Sequence, residues 1–264
     1  VYDNLEALAD ENLVESIREH ARWQEGTECI EEHGALFLAA AGRFPGPYLN
    51  CLIRTDPNAP AQHVFDRARD FYGSRDRGFI LFVRSGQDAD LDALCRASNL
   101  ILLADVPCMS IEEPFQSVDA PADIRVESFT QEQHVRDAIA INSEAFQAMG
   151  ITPKIIARIY GNSSRLLASP NVTGYVLYRG DRPVATASTI FSKNGAGLYW
   201  VGTIPEAQRS GLGTICTRLA TNAGFQNGAS VVTLQASPFG EPVYKLLGYR
   251  TYDRLKWYLC PKAS

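Results

Sequence analysis

The stretch Val201-Gly-Thr-Ile-Pro-Glu-Ala-Gln-Arg-Ser-Gly-Leu-Gly-Thr214 reads as an anion cradle. A strand-like apolar run ends at Pro205, a short loop carries Gly211 and Gly213, and a helix-like segment follows. Glycines in such a loop admit positive φ and let an anion approach the backbone closely. Free N–H groups of the loop and the first helical turn then converge on that anion, aided by the helix dipole. This geometry suits a pyrophosphate. A dinucleotide fingerprint is excluded, because the third glycine it needs is replaced by Cys216, and no Gly-Lys-Ser/Thr of a Walker loop occurs.

Three segments together carry a family likeness. They are Val201-Gly-Thr-Ile-Pro205-Glu, Gln208-Arg-Ser-Gly211-Leu-Gly213 and Tyr244-Lys-Leu-Leu-Gly248-Tyr249. From Ile124 to the C-terminus the chain resembles the GNAT superfamily of acyl-CoA-dependent N-acyltransferases, whose signature is Q/R-x-x-G-x-G/A. Six residues alone are weakly specific; the strand before, the helix after and the Tyr-x-x-Leu-Gly-aromatic ending give them weight.

The resemblance implies roles. Backbone N–H groups of Arg209, Ser210, Gly211, Leu212, Gly213 and Thr214 would hold the pyrophosphate of acetyl-CoA. The edge formed by Val201, Gly202 and Thr203 would pair with pantetheine amides as though accepting another strand. In the family this strand is bulged and splayed from the next, here Ser230 to Ala236, and one of its N–H groups can stabilise an oxyanion. Tyr244 stands where the family places a general acid. A phenol with an ordinary pKa of about 10 stays protonated at neutral pH and can protonate a departing thiolate. Glu144 and Glu241 are the candidate bases, Glu206 a poorer one, and Cys216 is expected in the core rather than as a nucleophile.

These residues need elements to position them. Ile124 to Ser128 alternates as a strand, and Thr130 is expected to cap a helix with Val135, Ile139, Ile141 and Phe146 at helical spacing. Thr152-Pro153 predicts a second helix start. Runs at Thr173–Tyr178, Pro183–Phe191 and Gly197–Ile204, joined by turn-rich links, predict an antiparallel meander. A helix over Gly211–Asn227, a strand over Ser230–Ala236, a helix over Gly240–Leu247 and a strand over Tyr249–Cys260 complete the half. The first half echoes the order from Gly197 onward: Pro47–Thr55 strand, Pro60–Tyr72 helix, Gly78–Val83 strand, Asp88–Ala97 helix, and Leu100–Ile111 a broken strand pair. Its counterpart of the glycine loop, Thr55-Asp-Pro-Asn-Ala-Pro-Ala, loses donors at Pro57 and Pro60, so coenzyme binding is not expected there.

The expected architecture is therefore α/β of the α+β type: a GNAT fold whose mixed, mostly antiparallel sheet is flanked by helices, in a tandem arrangement. Residues 1–111 form a degenerate half, the Pro-containing 112–123 a linker, and 124–264 the catalytic half.

Composition narrows the partners. The 264 residues are 45% hydrophobic and 21% charged, ordinary globular material. The longest apolar run, Ala35 to Ala41, falls far short of the roughly 18 residues of a bilayer span, and no secretory signal is visible. A net charge of −5 argues against nucleic acid, and Arg67, Arg69, Arg75 and Arg77 are interleaved with Asp66, Asp70 and Asp76 as a solvated helix face. Six cysteines without a C-x-x-C pair, and four scattered histidines, indicate no metal site and free buried thiols in the cytoplasm. The expected activity is acetyl transfer from acetyl-CoA to a primary amine, on a small molecule or a protein. The rival readings are a non-catalytic acyl-CoA sensor and an acyltransferase with another donor. A homodimer stays open.

Overall fold

A continuous apolar run such as Ala35–Ala41 suits a strand covered on both faces. In the computed structural model it forms β2 (Ala35–Ala39), buried throughout, between β1 (Glu28–Glu32) and β3 (Asn50–Arg54). The structure describes residues 2–116 and 118–262, so Ser117 of the expected linker lies outside the described residues. Then follow α2 (Ala61–Gly73), β4 (Phe79–Arg84) and α3 (Ala89–Ala97), as their periodicity predicts. A long helix, α1 (Tyr2–Trp23), and the β1–β2 hairpin precede the elements read from the sequence.

One expectation is corrected at Leu100–Ile111, which is a single strand, β5 (Ile101–Ile111). Pro107 does not break it, because its carbonyl still accepts from the Ala236 N–H at 3.0 Å.

The second half contains β6 (Ile124–Ser128), α4 (Glu132–Ala145), α5 (Pro153–Tyr160), α6 (Ser163–Ala168), β7 (Val172–Arg179), β8 (Arg182–Phe191) and β9 (Gly195–Thr203). It ends with α7 (Leu212–Gln226), β10 (Val231–Gln235), α8 (Glu241–Leu246) and β11 (Arg250–Cys260). Strands β6 to β9 form the antiparallel meander. Thr152 caps α5 by accepting from the Ile155 N–H. Thr130 does not cap α4: the N-cap is Gln131, and the Thr130 hydroxyl lies 3.5 Å from both the Ser128 carbonyl and His134 Nδ1.

All strands belong to one sheet in the order β1-β2-β3-β4-β11-β5-β10-β9-β8-β7-β6. Pairing is antiparallel except at β3/β4 and β9/β10. The order is nearly palindromic about the β11/β5 pair. β3-α2-β4-α3-β5 and β9-α7-β10-α8-β11 occupy equivalent places, with their last strands exchanged between the halves. β5 pairs with β10, and β11 pairs with β4.

Two of the surface readings change in detail. Arg67 of α2 and Arg75 just beyond its C-terminus pair with the hairpin rather than with the neighbouring aspartates: Arg67 with Glu32 and Arg75 with Glu28. All six cysteines are free, but Cys29 is exposed and Cys260 only half-buried. No helix among the described residues is long and apolar enough to cross a membrane.

Candidate active site

The site begins where two parallel strands part. β9 and β10 pair only at Gly195–Gly197 with Val231–Thr233. Beyond that point β9 stays with β8, and the chain after β10 turns to β5 through the Ala236 N–H. The parting coincides with a bulge. Between Thr186 and Ser188 on β8, the partner residues on β9 run from Gly202 to Tyr199, one residue more. Trp200 takes a left-handed φ of 57° there. The fork opens at the C-terminal ends of adjacent parallel strands, where α/β sheets commonly receive ligands.

The glycine loop sits at the mouth of this fork. A 3-10 turn, Pro205–Ala207, leads to Arg209 at φ 60° and Gly211 at φ 81°. Gly211 is the left-handed N-cap of α7; space is open around it, so backbone conformation alone calls for glycine. Ser210 Oγ donates to the Ala207 carbonyl, and Gln208 Nε2 donates to the Thr203 carbonyl at 3.3 Å. Ile215 is the first residue whose N–H closes on the helix, onto the Gly211 carbonyl. Among the described residues, none of the N–H groups from Arg209 through Thr214 has a protein acceptor. Leu212 is buried and anchors the turn, whereas Arg209, Ser210 and Gly211 are exposed. Six free donors at one helix start are the kind of arrangement that can receive an anion without a side-chain cation.

Val201, Gly202 and Thr203 lie on β9 beside this fork, with Gly202 opposite Thr186 and Thr203 opposite Ala185. A Cβ on Gly202 would fall 2.2 Å from Asn142 Oδ1, so α4 can pack here only against a glycine. A Cβ on Gly213 would come within 3.2 Å of Thr203 Oγ1, which draws the start of α7 against the end of β9.

Tyr244 lies on α8, which follows β10 as the glycine loop follows β9; both therefore sit at the same end of the sheet. Its ring is half-buried and meets Tyr249 edge-on at 5.8 Å, and Tyr249 is itself held by a 2.6 Å contact with Thr221 Oγ1. Burial raises the Tyr244 phenol above its ordinary range, so it stays protonated. Its hydroxyl has no protein partner among the described residues. The candidate bases are less well placed. Glu241 is tied to Lys245 at 2.6 Å, Glu206 lies 3.4 Å from Arg182, and Glu144 is exposed. Cys216 is buried within α7, and burial raises its thiol pKa, which disfavours a nucleophilic thiolate. Among the described residues no group of three or more His, Cys, Asp or Glu could hold a metal ion.

The equivalent place in the first half is closed. There the C-terminal ends of β3 and β4 are bridged by Arg54 and Arg84 on Asp88, all three buried. Arg54 Nε donates to Asp88 Oδ1 at 2.9 Å, and its terminal nitrogens reach both oxygens of Asp90 and the carbonyls of Ala59 and Gln87. Arg84 Nε donates to Asp88 Oδ2 at 2.9 Å and Arg84 reaches the Arg54 carbonyl at 2.7 Å. Guanidinium groups and carboxylates here fill the place that stands open beside β9.

Sequence reasoning missed His20, Asn142 and Trp200. The Nδ1–H of His20 donates to the Ser16 carbonyl at 2.6 Å, and its Nε2 accepts from Trp200 Nε1 at 2.8 Å. Full burial lowers its pKa from 6.5 to about 3, against the smaller opposing effect of the Ser16 contact. The unfolded chain therefore takes up a proton that the folded one refuses. Stability from this group is complete above about pH 6.5 and falls as the pH drops toward 3. Between pH 7.5 and pH 5 this costs about 2 kcal/mol. His20→Gln is expected to flatten the fall in denaturant midpoint over that range; an unchanged slope would contradict the assignment.

The sequence matches a family model described as an acetyltransferase (GNAT) domain over residues 113–246. Among solved structures, the fold is similar to a GCN5-related N-acetyltransferase from Kribbella flavida, with TM-score 0.74 and 16% identity over 100% of this chain and 96% of that one. A GCN5-related N-acetyltransferase from Sphaerobacter thermophilus aligns with TM-score 0.62 and 13% identity, over 91% of this chain and 84% of that one. A tandem GNAT protein from the clavulanic acid biosynthesis pathway aligns with TM-score 0.59 and 14% identity, over 91% and 85% respectively. At these identities the structural likenesses establish the fold. No curated protein matches the sequence.

Proposed function

Because the chain belongs to the GNAT acetyltransferase family, we propose that it moves an acetyl group from acetyl-CoA to a primary amine by direct attack. The observation that carries this reading is the open fork between β9 and β10, with unpaired N–H donors from Arg209 to Thr214 at its mouth. Those donors fit a pyrophosphate. The edge of Val201, Gly202 and Thr203 fits the amides of a pantetheine arm, which would add to β9 as another strand.

In this reading the amine nitrogen bonds to the acetyl carbon as the carbon–sulfur bond breaks, Tyr244 gives its proton to the departing sulfur, and the proton lost by the amine returns through water to the phenolate. A protonated phenol without a competing protein partner supports that role. The buried Cys216 thiol supports transfer without an acyl-enzyme. Six free cysteines support a reducing compartment such as the cytoplasm. The acceptor is a small-molecule or protein amine, and the acidic balance of the chain favours a cationic one.

A CoA-release screen with acetyl-CoA over polyamines, aminoglycosides, amino acids and lysine peptides tests the reading. Amine-dependent release with stoichiometric N-acetyl product is expected. Tight acetyl-CoA binding with no release on any amine would instead indicate a sensor.

A further inference from the structure

Trp200 is the residue on which the fork turns, and it is held from two sides. Its left-handed φ of 57° is a conformation that a bulky side chain adopts only when its surroundings impose it. On the main-chain side, Asn142 Nδ2 of α4 donates to the Trp200 carbonyl at 3.2 Å, and the same nitrogen reaches Tyr160 Oη at 2.8 Å. On the side-chain side the partner comes from the other half of the molecule. The indole N–H, a donor only, points at His20 Nε2 at 2.8 Å.

That contact fixes the tautomer of His20. Since Nε2 must accept, Nδ1 carries the proton, and it donates to Ser16 one turn back on α1. The imidazole is clamped flat against Tyr48 at 3.9 Å and tilted against Trp23 at 4.4 Å. The same helix also holds the residue before Trp200: Tyr199 Oη donates to Asn12 Oδ1 at 2.9 Å, while Asn12 Nδ2 donates to the Ile190 carbonyl at 2.9 Å. Two consecutive residues of β9, at the point where it leaves β10, are thus gripped by α1.

We propose that His20 is a positioning residue for the acyl-transfer site, through which the first half of the chain fixes the Trp200 bulge and so the course of β9 along the fork. This rests on the coenzyme reading of that fork. The backbone hydrogen bonds of the glycine loop close within residues 204–215, and its ties to β9 are made at Thr203 rather than at Trp200. Losing the His20–Trp200 hydrogen bond therefore affects the part of the ligand that lies along β9, and spares the pyrophosphate end.

Two probes separate those parts: acetyl-CoA, and adenosine 3′-phosphate 5′-diphosphate, which lacks the pantetheine arm. In calorimetric titrations His20→Leu is expected to weaken acetyl-CoA at least tenfold and the nucleotide less than twofold. His20→Gln, whose amide can accept from Trp200 and donate to Ser16, is expected to bind acetyl-CoA within threefold of the wild type. Trp200→Phe supplies the same test at a residue that is not fully buried, with the same split expected. Adding His20→Leu to it should cost less than twofold more. Equal weakening of both probes, or no weakening in folded His20→Leu and Trp200→Phe proteins, would overturn the proposal. A wild type that binds neither probe would overturn the coenzyme reading and the proposal with it.

Discussion

Thr214→Asp is expected to weaken acetyl-CoA binding at least a hundredfold while leaving the protein as stable as before or slightly more so. Thr214 occupies the third position of α7 after the Gly211 N-cap and is half-buried at the loop. A carboxylate in the first turn of a helix stabilises it by about 0.3–1 kcal/mol. In the proposed coenzyme reading, the same carboxylate would stand beside the anion received by the free N–H groups of Arg209 through Thr214. Like charges about 5 Å apart repel by about 3 kcal/mol at the effective dielectric of a protein surface, and a pyrophosphate brings more than one charge. Stability and binding therefore move in opposite directions, which separates a lost site from a lost fold. Calorimetric titration with acetyl-CoA, alongside a thermal melt, reads both quantities. Unchanged binding in a folded variant would remove the loop from the coenzyme site.

Tyr244→Phe is expected to lower kcat about a hundredfold or more, with acetyl-CoA affinity unchanged within twofold. The substitution removes one oxygen, which has no protein partner among the described residues, and leaves the packing of the ring on Tyr249 intact. Stability should stay within about 0.5 kcal/mol. General acid catalysis by a placed side chain is worth about 10²–10⁴ in rate. Burial holds the Tyr244 proton on beyond the ordinary phenol range, so wild-type kcat should not fall on the alkaline side through about pH 9 from this group. Activity unchanged in the variant would take Tyr244 out of the reaction.

The second half was readable because its demands fall on backbone and on short spacings. Gly211 needs a left-handed φ, Gly202 a close approach, and the meander is joined by compact turns. The first half hid its largest element. The face that α1 buries carries Ala9, Leu13, Val14 and Ile17 at helical spacing, but Asn12, Ser16, Glu19 and His20 share that face and dilute its apolar stripe. Glu19 is tolerated there because it accepts from Trp23 Nε1 at 2.8 Å and pairs with Arg22, contacts invisible until the helix is folded. β1 is mostly exposed and rich in glutamate, so its strand signal was weak. The exchange of β5 and β11 between the halves was equally illegible. It depends on pairings such as Leu259 with Ile101, far apart in the chain, which no local pattern encodes.

The same distance hid the grip of α1 on β9. Asn12 and Tyr199 are 187 residues apart, and neither residue type announces the other. The closed counterpart of the fork was half legible. Pro57 and Pro60 removed donors from its loop, but nothing local indicated that Arg54 would be drawn inward onto Asp88.

One open fork and one closed by Arg54, Arg84 and Asp88 lead to a definite stoichiometry. Calorimetric titration of the wild-type chain with acetyl-CoA is expected to give one equivalent bound per chain, lost in Thr214→Asp. Two equivalents per chain, or none, would contradict a single acyl-CoA site between β9 and β10.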